Sequence, residues 1–163
     1  MHTPDEIYTI PCQTIEGKTT TLAPYRGDIL LMVNVASRCG FTAQYKALEA
    51  LHREYLQQGV RVLGFPCNQF LNQEPGDAHA IQAFTTSCFR ITFPLFEKID
   101  VKGAKQSPLY AYLEQHIEKK PWIFVPWNFT KILVGRDGRV LQQFLPITKL
   151  SYVRKKIDRL LEK

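Results

Sequence analysis

The seven residues Ile29-Leu-Leu-Met-Val-Asn-Val35 are apolar at all but one position. A strand at a water-covered sheet face alternates, so an unbroken apolar run predicts a strand covered on both faces. Layers must then lie above and below it, and a small helical bundle or a one-sided sheet cannot supply them. The next residues, Ala36-Ser-Arg-Cys-Gly40, lead into Tyr45, Leu48, Leu51, Tyr55 and Leu56 at helical spacing. These predict a helix from about Thr42 to Gln58, ended by Gly59, with His52 on its outer face. Val60 to Phe65 is a second buried strand, and strand, helix, strand with tight connections predicts a parallel βαβ unit.

The remaining elements follow from local signals. Ile7 to Gln13 and Lys18 to Leu22 read as two strands of a hairpin joined at Gly17. After a loop rich in Asn, Gln, Pro and Gly, Asp77 is expected to cap a helix carrying Ile81, Phe84 and Cys88. Ser107-Pro108 starts another, leading into Leu109, Leu113 and Ile117. Lys131 to Val134 and Arg139 to Leu145 flank Gly135-Arg-Asp-Gly138, the chemistry of an antiparallel turn. A last helix from Thr148 to about Leu161 carries Leu150, Val153, Ile157 and Leu160 on one stripe, with Arg154, Lys155, Lys156 and Arg159 on a solvated outer face. A βαβ unit followed by ββα predicts an α/β, thioredoxin-like fold: an N-terminal β-hairpin and a central mixed sheet flanked by helices. With no linker or repeat, residues 1–163 read as one domain.

Composition agrees. The chain is 45% hydrophobic and 12% aromatic, enough to fill a core without staples. The net charge of +6 permits polyanion contact without demanding it, and no nucleic-acid partner is expected. The longest unbroken apolar run, Ile29 to Val33, is far short of the roughly 20 residues a membrane helix needs, so no stable membrane association is expected. The start, MHTPDEIYTI, lacks a basic stretch followed by an apolar one and does not read as a secretory signal; a cytoplasmic protein is the simplest reading.

Cysteines stand at 12, 39, 67 and 88, with no Cys-x-x-Cys pair, so neither zinc nor any other metal site is expected. Cys39 lies between the first buried strand and the helix, where unpaired backbone N–H groups favour an anion and a thiol can ionise. Arg38 adds positive potential if it points inward. A small residue packed at a strand end fits the same position equally well.

The surrounding residues decide the matter. The segment NVASRCGFTAQY resembles the peroxidatic motif of the glutathione peroxidase family in its cysteine form. LGFPCNQFLNQEPG (63–76), FPLFEKIDVKG (93–103) and WNFTKILV (127–134) resemble further family segments, in the family's order along nearly the whole chain. The resemblance implies a peroxidase that reduces hydrogen peroxide and organic or lipid hydroperoxides, with Cys39, Gln73, Trp127 and Asn128 as the catalytic group. Neutral N–H donors suit that chemistry, because they stabilise a thiolate and a departing alkoxide without titrating themselves. Gly40 would leave room for substrate at the sulfur. No cofactor is implied, only a reducing co-substrate, thioredoxin or glutathione.

In the thioredoxin-dependent branch, the resolving cysteine lies on the helix after NQEPG, at the position of Thr85 here. Cys88, about one turn further on, is the candidate resolver if that helix unwinds, although Ile81, Phe84 and Cys88 also fit a core stripe. Without a resolver, the glutathione-using branch is the better comparison, and a redox relay that passes oxidation to a partner protein would use the same residues. Cys67 reads as a buried thiol at a strand end and Cys12 as structural; no histidine is assigned a role. The short stretch from Leu113 to Pro126 resembles the monomeric branch with an open site. Trp122, Ile123 and Phe124 fit either an apolar rim for bulky hydroperoxides or core packing.

Overall fold

A computed structural model describes residues 3–163. Strand β3 (Ile29–Val35) is buried along its whole length. It pairs in parallel with β4 (Val60–Pro66), Ile29 opposite Val60, and antiparallel on its other side with β5 (Lys131–Val134). β6 (Val140–Phe144) completes a mixed sheet of order β4-β3-β5-β6. Alternate residues of β3 serve two separate cores, which is why its sequence shows no alternation. Leu30 and Met32 pack with Leu63, Phe65, Tyr110 and Leu113 on one face. Ile29, Leu31, Val33 and Val35 pack with Tyr45, Leu48, Leu51, Val153 and Ile157 on the other.

Helix α1 (Gln44–Tyr55) makes the βαβ crossover, and α4 (Leu150–Leu161) covers the same face with Val153 and Ile157 inward. Helix α2 (Ala78–Phe84) is capped by the Asp77 carboxylate, which accepts from the Ala80 N–H at 2.8 Å. Helix α3 (Pro108–His116) starts at Ser107, whose hydroxyl accepts from the Tyr110 N–H, and has Pro108 in its first turn. The β5–β6 turn closes at Gly138, whose φ is +87°; an added Cβ there would also lie 2.5 Å from the Pro4 carbonyl oxygen.

Several expectations are corrected. The N-terminal hairpin shrinks to β1 (Cys12–Gln13) and β2 (Thr19–Thr20), because Pro4–Thr9 winds into a 3₁₀ turn that buries Ile7 and Tyr8. His52 is buried, not outward: its Nδ1 accepts from the Val62 N–H at 3.1 Å, and its ring meets Phe93 edge-on. Arg154 is only partly solvated, since it pairs with Glu54 and lies over the Tyr55 ring. Among the described residues, no helix is long and apolar enough to cross a membrane.

Candidate active site

The parallel strands β3 and β4 and the antiparallel β5 bring three connections to one end of the sheet: the Cys39 turn, the Gln73 loop and the Trp127–Asn128 segment. Asn34, the one polar residue in β3, joins the first and third. It is fully buried, its side-chain amide donates to the Trp127 carbonyl at 3.0 Å, and its own carbonyl accepts from the Phe129 N–H at 2.7 Å. The backbone must take a positive φ of 63° at Phe129 to make this turn. Such a cost in a non-glycine residue persists only where surrounding contacts fix it.

Cys39 is half-buried. Its N–H donates to the Thr42 hydroxyl at 2.8 Å, and that hydroxyl donates on to the Ala36 carbonyl at 3.0 Å. Its sulfur accepts from the Phe41 N–H at 3.3 Å. The helix proper begins only at Gln44, after a run of tight turns through residues 40–43. The sulfur therefore leans on a local backbone donor, in place of the helix terminus expected from the sequence. An added Cβ at Gly40 would meet nothing within 4 Å, so the turn faces open space. Arg38 is exposed, at the rim of a cleft it shares with Ser37, Glu74, Ile81 and Phe84.

Gln73 and Asn128 are brought together. The buried Asn128 amide donates to Gln73 Oε1 at 2.8 Å, and the Gln73 carbonyl accepts from the Arg38 N–H at 2.9 Å. With its oxygen engaged, Gln73 has its NH2 group to offer elsewhere. Trp127 is half-buried with its ring 5.4 Å from that of Phe70, and its carbonyl also accepts from the Thr130 hydroxyl. Beneath this end of the sheet the buried Lys131 Nζ donates to Gln44 Oε1 in the first turn of α1, and burial lowers its pKa to about 8.

The other cysteines separate clearly. Burial pushes the Cys12 thiol up to about 11 and raises that of the fully buried Cys67, so both are poor nucleophiles at neutral pH. Cys88 is exposed, which overturns the core-stripe alternative for it. α2 passes into a π turn, Thr85–Phe89, ended by Arg90 at a φ of 51°. The wider turn puts Thr85 inside, with its hydroxyl on the Ile81 and Gln82 carbonyls, and Cys88 outside. Phe84 and Phe89, which bracket Cys88, pack on Tyr45 in the first turn of α1, with ring centroids 6.4 and 5.3 Å away. Of the apolar trio before Trp127, Phe124 is buried, Ile123 is 51% exposed and Trp122 is 99% exposed, so core packing holds for Phe124 alone. Sequence reasoning passed over Asn34, Thr42, Glu74 and Lys131. The signal available for Asn34 was a polar residue inside a two-face-buried strand, which must find partners. All four cysteines are free thiols, and among the described residues no three His, Cys, Asp or Glu gather as metal ligands.

A mixed sheet with a half-buried thiol just beyond its first parallel strand defines a thioredoxin-like architecture. A thiol:disulfide interchange protein of the thioredoxin family from Chlorobium tepidum shares it, with a TM-score of 0.65 at 12% identity over 93% of this chain and 96% of that one. Closer likenesses narrow the class. The glutathione peroxidase family model matches residues 7–114. The glutathione peroxidase homolog BsaA of Bacillus subtilis is 44% identical over 157 residues, 96% of this chain and 98% of the relative. The crystal structure of T. cruzi GPX1 superposes with a TM-score of 0.76 at 35% identity, covering 96% of both chains. The chain belongs to the glutathione peroxidase family of peroxidase oxidoreductases.

Proposed function

We propose that Cys39 reduces hydroperoxides and that Gln73, Trp127 and Asn128 supply the donors around it. The observation that carries this reading is the pair of contacts at Gln73. Its side-chain oxygen is occupied by Asn128, and its backbone is tied to Arg38, the residue before Cys39. In the first step the Cys39 thiolate attacks the distal peroxide oxygen and the O–O bond breaks. The departing alkoxide takes a proton, leaving an alcohol and a Cys39 sulfenic acid. Pre-placed neutral donors favour both the thiolate and the alkoxide.

In the second step the Cys88 thiol displaces hydroxide from the sulfenic sulfur, releasing water and forming a Cys39–Cys88 disulfide. An external dithiol of thioredoxin type then restores both thiols while becoming a disulfide itself. The exposure of Cys88 and its setting in an irregular turn support this, since a disulfide needs Cα atoms within about 7 Å. Thr85 is firmly packed at the position the thioredoxin-dependent branch uses, and this favours a second reading in which glutathione reduces the sulfenic acid directly. The four free thiols suit a reducing, cytoplasmic setting, and the short segment before Trp127 suits a monomer with an open site.

The test is to add one equivalent of hydrogen peroxide to fully reduced protein, count thiols and map linked peptides by mass spectrometry. Loss of two thiols with a Cys39–Cys88 linkage is expected. Loss of one thiol, with Cys39 open to capture by glutathione, rejects the resolver and leaves the peroxidase. An unmodified Cys39 overturns the whole reading.

A further inference from the structure

Glu74 is a carboxyl buried at the active end with no part in the steps above. Its side chain is 1% exposed, and Oε1 accepts from the Ser37 N–H at 3.1 Å. Among the described residues, Oε2 has no hydrogen-bond partner. Burial raises its pKa above the ordinary carboxylate value, opposed by the Ser37 N–H and by the charges of Lys98 and Arg38. The phenol of Tyr45 in α1 is pushed up chiefly by burial and further by this carboxylate. Keeping such a group buried is costly unless its contacts offset the lost hydration.

Those contacts form a clasp. The Ser37 N–H binds the Glu74 side chain, and the next N–H, that of Arg38, binds the Gln73 carbonyl at 2.9 Å. Two consecutive donors of the Cys39 turn thus grip two consecutive residues of the Gln73 loop. That loop is pinned from behind. The Glu74 N–H donates to Asn68 Oδ1 at 3.0 Å, and Lys98 Nζ donates to the carbonyls of Glu74 and Gly76 at 2.9 and 2.6 Å. Gln73 in turn holds Asn128.

We infer that Glu74 is a positioning residue, which fixes the Cys39 turn against the Gln73 amide so that sulfur and donor meet the peroxide in register. This rests on the peroxidase reading above. Reaction with peroxide needs the assembled donors, whereas alkylation by iodoacetamide needs only a thiolate. The two rates therefore separate misplacement from loss of the nucleophile.

The experiment measures both rates at Cys39, with melting temperature as a fold control, in the wild type and in Glu74→Ala, Glu74→Asp and Glu74→Gln. In Glu74→Ala the peroxide rate is expected to fall by about 10- to 100-fold while alkylation stays within about twofold. Glu74→Asp, one methylene too short for Ser37, is expected to fall likewise. Glu74→Gln keeps an acceptor at the Oε1 position and is expected to recover to within about threefold of the wild-type rate. If Glu74→Ala does not fold, the Asp and Gln pair carries the test. Unchanged peroxide rates in folded Ala or Asp variants overturn the inference, as do parallel falls in both rates or a Gln variant as slow as Asp. A wild-type Cys39 no faster with peroxide than free cysteine sinks the peroxidase reading itself, a result distinct from any of these.

Discussion

The turn that carries Cys39 and the turn that carries Cys88 are built on opposite plans. Around Cys39, the backbone N–H groups of residues 37, 38, 39 and 41 all have partners, and the sulfur itself is one of the acceptors. Around Cys88 the helix loses its regular ladder, ends in a left-handed Arg90 and leaves the thiol in water. Both rest on the aromatic cluster at Tyr45, so the two cysteines share a floor but not a stiffness. An irregular turn with little of itself buried is the part of a fold that opens at low cost. Under the proposed cycle the sulfur that must meet an oxygen in a set geometry sits on the held side, and the one that would have to travel sits on the loose side.

Four experiments can break or sharpen that contrast. The largest effect belongs to Cys39→Ser, which should lower the peroxide rate by at least about 10³-fold; a smaller loss would move the nucleophile elsewhere. Gln73→Ala removes a donor from the held side and should cost about 10²-fold in the peroxide rate by stopped flow. Lys131 tests how tightly the floor under the Cys39 turn is closed. Its folded pKa is about 8 against 10.5 when free, so between those values the unfolded chain binds more protons and stability rises with pH. Urea unfolding should show the wild type gaining about 2 kcal/mol over Lys131→Met between about pH 8 and pH 10. Parallel curves would mean that water reaches the amine. The smallest effect is Cys88→Ser. It should leave the first peroxide reduction within about twofold and slow thioredoxin-supported turnover about tenfold, and undiminished turnover would show that the loose side has no role in the cycle.

The sheet was legible in the sequence because burial on both faces is a strong constraint: Ile29–Val33 is apolar throughout while serving two cores, and Val60–Phe65 departs from apolar residues only at Gly64 and at the half-buried Arg61, which pairs with Asp28. The caps at Asp77 and Ser107 were legible because their oxygens do a local job. The N-terminal segment was not. Ile7 and Tyr8 need burial, and a 3₁₀ turn satisfies that as well as a strand does. His52 was misplaced although it stands four residues after Leu48 and so shares its face; a polar residue on that face needed a partner, and Val62, ten residues away, provides it. At Cys88 the helical count failed because the π turn widens the spiral by one residue and exchanges inside for outside. The residues of the candidate site were named from the family's segments; the clasp between them depends on contacts across 35 residues or more of chain, which no local pattern carries.

The two tryptophans differ in a way that has a practical use. Trp122 stands wholly in solvent, while Trp127 is half-covered against Phe70 at the end of the sheet that carries Cys39. One indole then emits as a constant, water-like background, and under the proposed cycle the emission of the other is expected to change when Cys39 is oxidised. The molecule carries its own fluorescent reference and gauge, and a Trp122→Phe variant would isolate the gauge without labelling.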